Sequence, residues 1–111
     1  MIRIDYRVGD RDHKLTIKGH AEYSDTGNDI VCAGVSAIAF TLIGFLENHR
    51  DDIESIGAQR QSGDLRIECV GGEKVALAFD MALIGLQQIA MKYAKHVQVN
   101  IYPQPADDSR E

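Results

Sequence analysis

Residues 30–46 read IVCAGVSAIAFTLIGFL, 17 positions without a charge. So apolar a run is either a membrane span or a helix buried in a protein core, and the two readings lead to unrelated folds. A spanning helix needs about 20 apolar residues. This run is shorter, Ser36 and Thr41 dilute it, and acidic residues flank both ends without a basic cytoplasmic anchor. A core helix from about Asp29 or Ile30 to about His49 is therefore expected, and no membrane segment. Asp29 suits its N-cap, because a carboxylate there accepts from the free amides of the first turn.

Upstream, MIRIDYRV (1–8) alternates Ile2, Ile4, Tyr6 and Val8 with Arg3, Asp5 and Arg7. Period two marks a half-buried strand. GDRD (9–12) is a turn signal, and HKLTIKG then places Leu15, Ile17 and Gly19 on one face, so the two runs read as a hairpin with His20 at its outgoing end. Downstream, DDIESIGAQR and DLRIECV, separated by QSG, read as a second hairpin. GGEKVALAFDMALIGLQQIAMKYAKH follows as a second helix, with Ala76, Phe79, Leu83, Leu86 and Ala90 as its stripe. VQVNIY is a last strand, ended by Pro103 and Pro105.

The order β-β-α-β-β-α-β predicts a two-layer α+β domain over residues 1–102, its sheet mostly antiparallel and its two helices each covering one face. The acidic tail, 103–111, is expected to be disordered. At 111 residues the chain suffices for one domain with a real core. A net charge of −5, with basic residues scattered and no aromatics among them, argues against nucleic-acid binding and suits a basic partner instead. Residues 1–14 carry charges throughout and no apolar core, so no secretory leader is expected. Cys32 and Cys69 are then expected to be reduced, in the cytoplasm. Neither belongs to a CxxC or Cys/His cluster, so neither metal nor cofactor is expected.

The chemistry gathers in KGHAEYSDTGNDIVCAGVS (18–36). If the helix begins near Asp29, Cys32 falls in its first turn, where free N–H groups and the macrodipole favour a thiolate. His20, twelve positions upstream at a strand end, could take the thiol proton. Free amides around Cys32 to Gly34 could serve a tetrahedral oxyanion. The plain alternative is an inert core cysteine, since cysteine is among the most buried residue types.

Two phrases, Gly19-His20-Ala21 and Asp29-Ile30-Val31-Cys32-Ala33 followed by Val35-Ser36, sit twelve residues apart from His to Cys, with Gly27 ending the loop between them. In this the chain closely resembles the ribosomal-processing cysteine protease family (Prp) of cytoplasmic bacterial enzymes, over nearly its whole length. The resemblance implies that Cys32 is the nucleophile and His20 its base, with Asp29 and Ser36 on the family's other characteristic polar positions. It also implies removal of a short N-terminal extension from a large-subunit ribosomal protein, with cutting after an aromatic residue. The loop AEYSDTG lacks the glycine that relatives often carry after His-Ala, and Gly34 stands for a commoner alanine.

Asp29 has two readings, orienting His20 as the third member of a triad or capping the helix; as a negative charge it also works against ionisation of a nearby thiol. Ser36, one turn after Cys32, either supports the site or bonds back to the Cys32 carbonyl. Tyr23 and Gly27 belong to a loop that could cover substrate, with Gly27 as hinge or simple turn residue. His13, His49 and His96 read as surface or element-end residues, and Cys69 as a core or sheet-face residue. Two other functions stay open. A non-enzymatic module binding a ribosomal component would keep Cys32 structural, and a redox sensor would need a resolving cysteine that is absent nearby. The long apolar helix offers more surface than one sheet face covers, which predicts a homodimer.

Overall fold

The computed structural model describes residues 1–24 and 29–103. The alternating opening forms β1 (Ile2–Val8) and β2 (Asp12–Lys18), an antiparallel hairpin closed by Gly9 N–H donating to the Asp12 carbonyl at 2.8 Å. The apolar run forms α1 (Ile30–Asn48), followed by a short 3-10 turn at Arg50–Asp52. A second hairpin, β3 (Ile53–Gln61) and β4 (Asp64–Gly71), turns on Ser62 and Gly63, the latter at φ +74°. Then come α2 (Glu73–Lys92) and β5 (Val97–Pro103). The expected element order and two-layer α+β class hold. Pro103 completes β5 beside Val8, and the remainder of the tail, 104–111, lies outside the described residues.

The five strands lie in the order β3-β4-β2-β1-β5. Three pairings are antiparallel and only β1–β5 is parallel. Each helix is a crossover. α1 carries the chain from β2 past β4 to one edge, and α2 carries it from β4 across β2 and β1 to the other. Register puts Ile4 opposite Ile17, Tyr6 opposite Leu15 and Leu15 opposite Ile67, all buried, so one face of the sheet is the core face. Both helices pack there, and against each other, while Arg3, Lys14, Arg66 and Glu68 face water.

By length and composition either helix could cross a membrane. In the fold α1 instead buries Val31, Val35, Ala39, Leu42, Ile43 and Leu46 in the core. The buried stripe of α2 is Val75, Phe79, Ala82, Leu83 and Leu86; Ala76, expected in it, faces solvent, and Val75 takes its place. Gly72 caps α2 with no side chain, and Asp52 does the work from another element, accepting from Lys74 N–H at 2.8 Å and Val75 N–H at 3.3 Å. A Cβ on Gly72 would collide with that carboxylate, which is why the helix opens on glycine.

His13 departs from expectation. It is 4% exposed, stacked on Phe79 with ring centroids 4.9 Å apart and bonded through Nδ1 to the Tyr6 hydroxyl at 2.7 Å. It stands second in β2, in the register of Leu15 and Ile17, and α2 covers it. Burial, with a smaller push from Asp80, raises Tyr6 to about 12, so the phenol stays protonated and donates. His13 Nε2 has no hydrogen-bond partner among the described residues.

Burial lowers the His13 pKa below its ordinary 6.5, with Asp12 opposing more weakly. The unfolded chain takes up a proton near 6.5 where the folded chain does not, so this contribution is complete above that pH and lost as pH falls through it. Urea melts from pH 7.5 to 5 should show a decline that His13→Leu flattens; an equally steep decline in that variant would assign it to other groups.

Candidate active site

Asp29 stands in extended backbone, φ −82° and ψ 102°, at the head of α1. Its Oδ1 accepts from the amides of Val31 and Cys32, both at 3.0 Å, and its Oδ2 from those of Tyr23 at 2.9 Å and Ser24 at 3.4 Å. Desolvation pushes this carboxyl up, and the amides of Cys32, Tyr23, Ser24 and Val31 together outweigh it, holding the pKa below the ordinary 3.8. The oxygens of Asp29 are occupied by the helix cap and the incoming loop, and neither bonds His20.

The cap places Cys32 in the first turn, half-buried. Its own amide is engaged by Asp29 Oδ1, and Ala33 N–H donates to the Asp29 carbonyl at 3.1 Å. The expectation of free amides at Cys32 and Ala33 is therefore corrected, because the cap and the first helical bond have taken them. A different amide reaches the sulfur. Ala21 N–H donates to Cys32 Sγ at 3.3 Å, and the Ala21 carbonyl accepts from His96 Nδ1 at 2.9 Å.

His20 leaves β2 through Gly19, whose φ of +91° and close seat on the Met1 carbonyl admit no Cβ. Gly19 N–H donates to the Gly63 carbonyl at 2.9 Å, so the β3–β4 turn is tied to the strand end that carries His20. The exposed imidazole rests against that turn; a Cβ on Gly63 would stand 2.8 Å from its Nε2. Among the described residues no hydrogen bond joins His20 to Cys32, yet both line one cleft of about 580 Å³ between α1 and the β3–β4 turn. Such bonds often form only when substrate is bound.

Ser36 lines the same cleft. Its hydroxyl makes no bond back to the Cys32 carbonyl, whereas Thr41 makes that type of bond to Ala37 at 2.7 Å. Tyr23 packs edge-on against both Tyr93 and His96, with centroids 5.3 Å apart in each case. Gly27 lies outside the described residues. Cys69 is buried in β4, where burial first, and Asp52 second, push its thiol up, so it reads as core. Sequence reasoning missed Ala21, Gly63 and His96. Gly63 alone had a local signal, as the turn glycine of QSGD.

A thiol at a helix N-terminus and an imidazole facing one open cleft are the equipment of a thiol-dependent hydrolase. The family described as cysteine protease Prp matches residues 1–98. The ribosomal processing cysteine protease Prp of Staphylococcus aureus is 30% identical over 105 residues, 90% of this chain and 98% of that protein. The namesake from Mycoplasma genitalium is 32% identical over 87 residues, 78% of this chain and 85% of its own. The crystal structure of the S. aureus protease with a covalently linked product peptide matches with a TM-score of 0.79 at 28% identity, covering 91% of this chain and 99% of that one. This chain belongs to the Prp family of cysteine proteases.

The Gly63 contact yields a test. Gly63→Ala should displace the His20 ring and cut peptide cleavage by about 100-fold, the scale of a one-ångström misplacement. Gly57→Ala, whose Cβ meets open space, should leave cleavage unchanged. Equal rates for the two variants would mean that the turn does not seat the imidazole.

Proposed function

We propose that the chain is a cysteine endopeptidase that removes a short N-terminal extension from a large-subunit ribosomal protein, cutting after an aromatic residue, with Cys32 as nucleophile and His20 as general acid and base. The observation that carries the reading is the joint placement of Cys32 and His20 on one cleft, in a chain of the Prp family. The S. aureus relative, a ribosomal processing protease seen with a covalently linked product peptide, supports the substrate class. Among the described residues the cleft is lined by Glu22, Asp29 and Asp64 against Arg60, a net acidic lining compatible with a basic chain. Asp64 is paired to Arg66 and Arg60 to Glu47, each at 3.2 Å.

In this mechanism His20 takes the thiol proton as Sγ bonds to the scissile carbonyl carbon. The C–N bond then breaks and His20 returns the proton to the leaving amine. Water, deprotonated by His20, attacks the thioester; the C–S bond breaks and the cysteine is restored. Ser36 lines the cleft as a supporting hydroxyl, and Tyr23, packed on Tyr93 and His96, belongs to the proposed substrate loop between the lining residues Glu22 and Ser24. No metal or cofactor enters these steps, and neither nucleic acid nor a membrane is a proposed partner. The proposed compartment is the cytoplasm.

The test is cleavage of the host's precursor ribosomal protein followed by intact mass. Wild type should remove the extension, and Cys32→Ser and His20→Ala should lose at least about 1,000-fold in rate, as expected when either half of a cooperating pair is removed. Cutting by Cys32→Ser at the wild-type rate would overturn the thiol mechanism. Binding of the precursor without cutting by any form would favour the binding-module alternative.

We also propose a homodimer through the outer helical face. There Ile38, Thr41, Phe45, Leu77 and Met81 line an apolar groove of about 450 Å³, with Leu77 66% and Met81 72% exposed. Light scattering should give twice the chain mass at micromolar concentration and the single mass for Met81→Glu. A wild-type monomer would remove the claim.

A further inference from the structure

The backbone of Ala21 sits between Cys32, which the proposed mechanism uses, and His96, which it does not. On one side its N–H reaches the Cys32 sulfur at 3.3 Å; on the other its carbonyl is held by His96 Nδ1 at 2.9 Å. Ala21 is itself 1% exposed, so both of its backbone groups are shielded from competing water. A carbonyl can only accept, which fixes the proton of His96 on Nδ1. The two groups belong to successive peptide units, His20–Ala21 and Ala21–Glu22, that meet at the Ala21 Cα. With that residue buried, fixing the carbonyl restrains the Cα and limits how far the preceding N–H can turn from the sulfur.

His96 is well placed to act as an anchor. Its own N–H donates to the Tyr93 carbonyl at the end of α2, and its carbonyl accepts from Ile2 N–H at the start of β1, both at 2.8 Å. The ring is thus mounted on the junction of α2, β1 and β5, and Tyr23 covers it edge-on. Nothing in the Cys/His chemistry requires a second histidine here, and its sequence position, 75 residues beyond Ala21, gives no local reason for the contact.

We infer that His96 is a positioning residue for the nucleophile: by holding the Ala21 carbonyl it aims the Ala21 N–H at Cys32 Sγ, where that amide stabilises the thiolate. The inference rests on Cys32 being the nucleophile. An N–H donated to an anion is stronger than one donated to a neutral thiol, so the contact favours the ionised form. The amide partner also matters because the Cys32 and Ala33 amides are already engaged.

The experiment measures iodoacetamide alkylation of Cys32, located by peptide mass, at pH 7 and at pH 10. Dividing the two rates separates thiolate fraction from access. The other charged or titratable groups on the cleft, His20, Glu22, Asp29, Arg60 and Asp64, are the same in every variant. His96→Leu keeps bulk under Tyr23 without a donor, and His96→Asn keeps an N–H where Nδ1 stood. His96→Leu should lower the pH 7 to pH 10 ratio and kcat about tenfold with KM unchanged, the effect of weakening one charge-assisted hydrogen bond. His96→Asn should restore both to within about twofold.

Equal ratios for wild type and His96→Leu, or an equal fall in both variants, would overturn the inference. Should His96→Leu not fold, the ¹⁵N spectrum of wild-type His96 decides: a protonated Nδ1 coupled to the Ala21 carbonyl carbon supports the anchor, and a bare Nδ1 overturns it. Failure of the underlying reading looks different. In that case Cys32→Ser still cleaves the precursor, whatever the His96 variants do.

Discussion

The carboxylate of Asp29 is the contact on which the site depends. Four backbone amides converge on it, two from the first turn of α1 and two from the loop that follows His20. One side chain thereby starts the helix that presents Cys32 and pulls the loop back over it. An isolated N-cap satisfies only the helix. Here the second oxygen closes a circuit, because the segment that carries Tyr23 and Ser24 is continuous with Ala21 and His20. Without the charge the four donors would lose their common acceptor, and the strand end and helix start would be free to part.

The rest of the site is assembled from hydrogen bonds to main-chain groups between elements remote in sequence. The β3–β4 turn holds the end of β2 through the Gly19–Gly63 bond, and the start of β5 holds Ala21 through His96. The crossovers make this possible. By sending β3 to one edge and β5 to the other, α1 and α2 bring two late segments of the chain around the loop that leaves β2. The sheet is in that sense the frame on which an early loop is clamped from both sides.

What was legible in the sequence follows the same division. Alternation at 1–8 and 13–19, the uncharged run at 30–46 and the stripe led by Phe79 report local burial, and they give the strands, both helices and their order. The Asp29 cap and the position of Cys32 are local too. Other features are not encoded near their own residues. His13 looks like a polar strand end, and becomes core only because α2 lays Phe79 on it. Asp52 reads as the opening of a strand, yet it lies in the 3-10 turn before β3 and caps a helix that begins 21 positions later, at Glu73. Ala21, with no polar side chain, could be found only by following its backbone groups.

That distinction bears on how the imidazole is oriented. A triad carboxylate fixes its histidine by a hydrogen bond and stabilises the imidazolium that forms. Asp29 is the candidate the sequence pattern offers, and both of its oxygens are spent on backbone amides. His20 is instead set by shape, its Nε2 edge against Gly63 and its backbone leaving Gly19 in a conformation only glycine takes readily. Steric seating aims a ring but supplies no charge to offset its protonation. In the proposed mechanism the thiolate formed when His20 takes the proton is the nearest counterion of the imidazolium, with Glu22 and Asp64 on the same cleft as further negative charges.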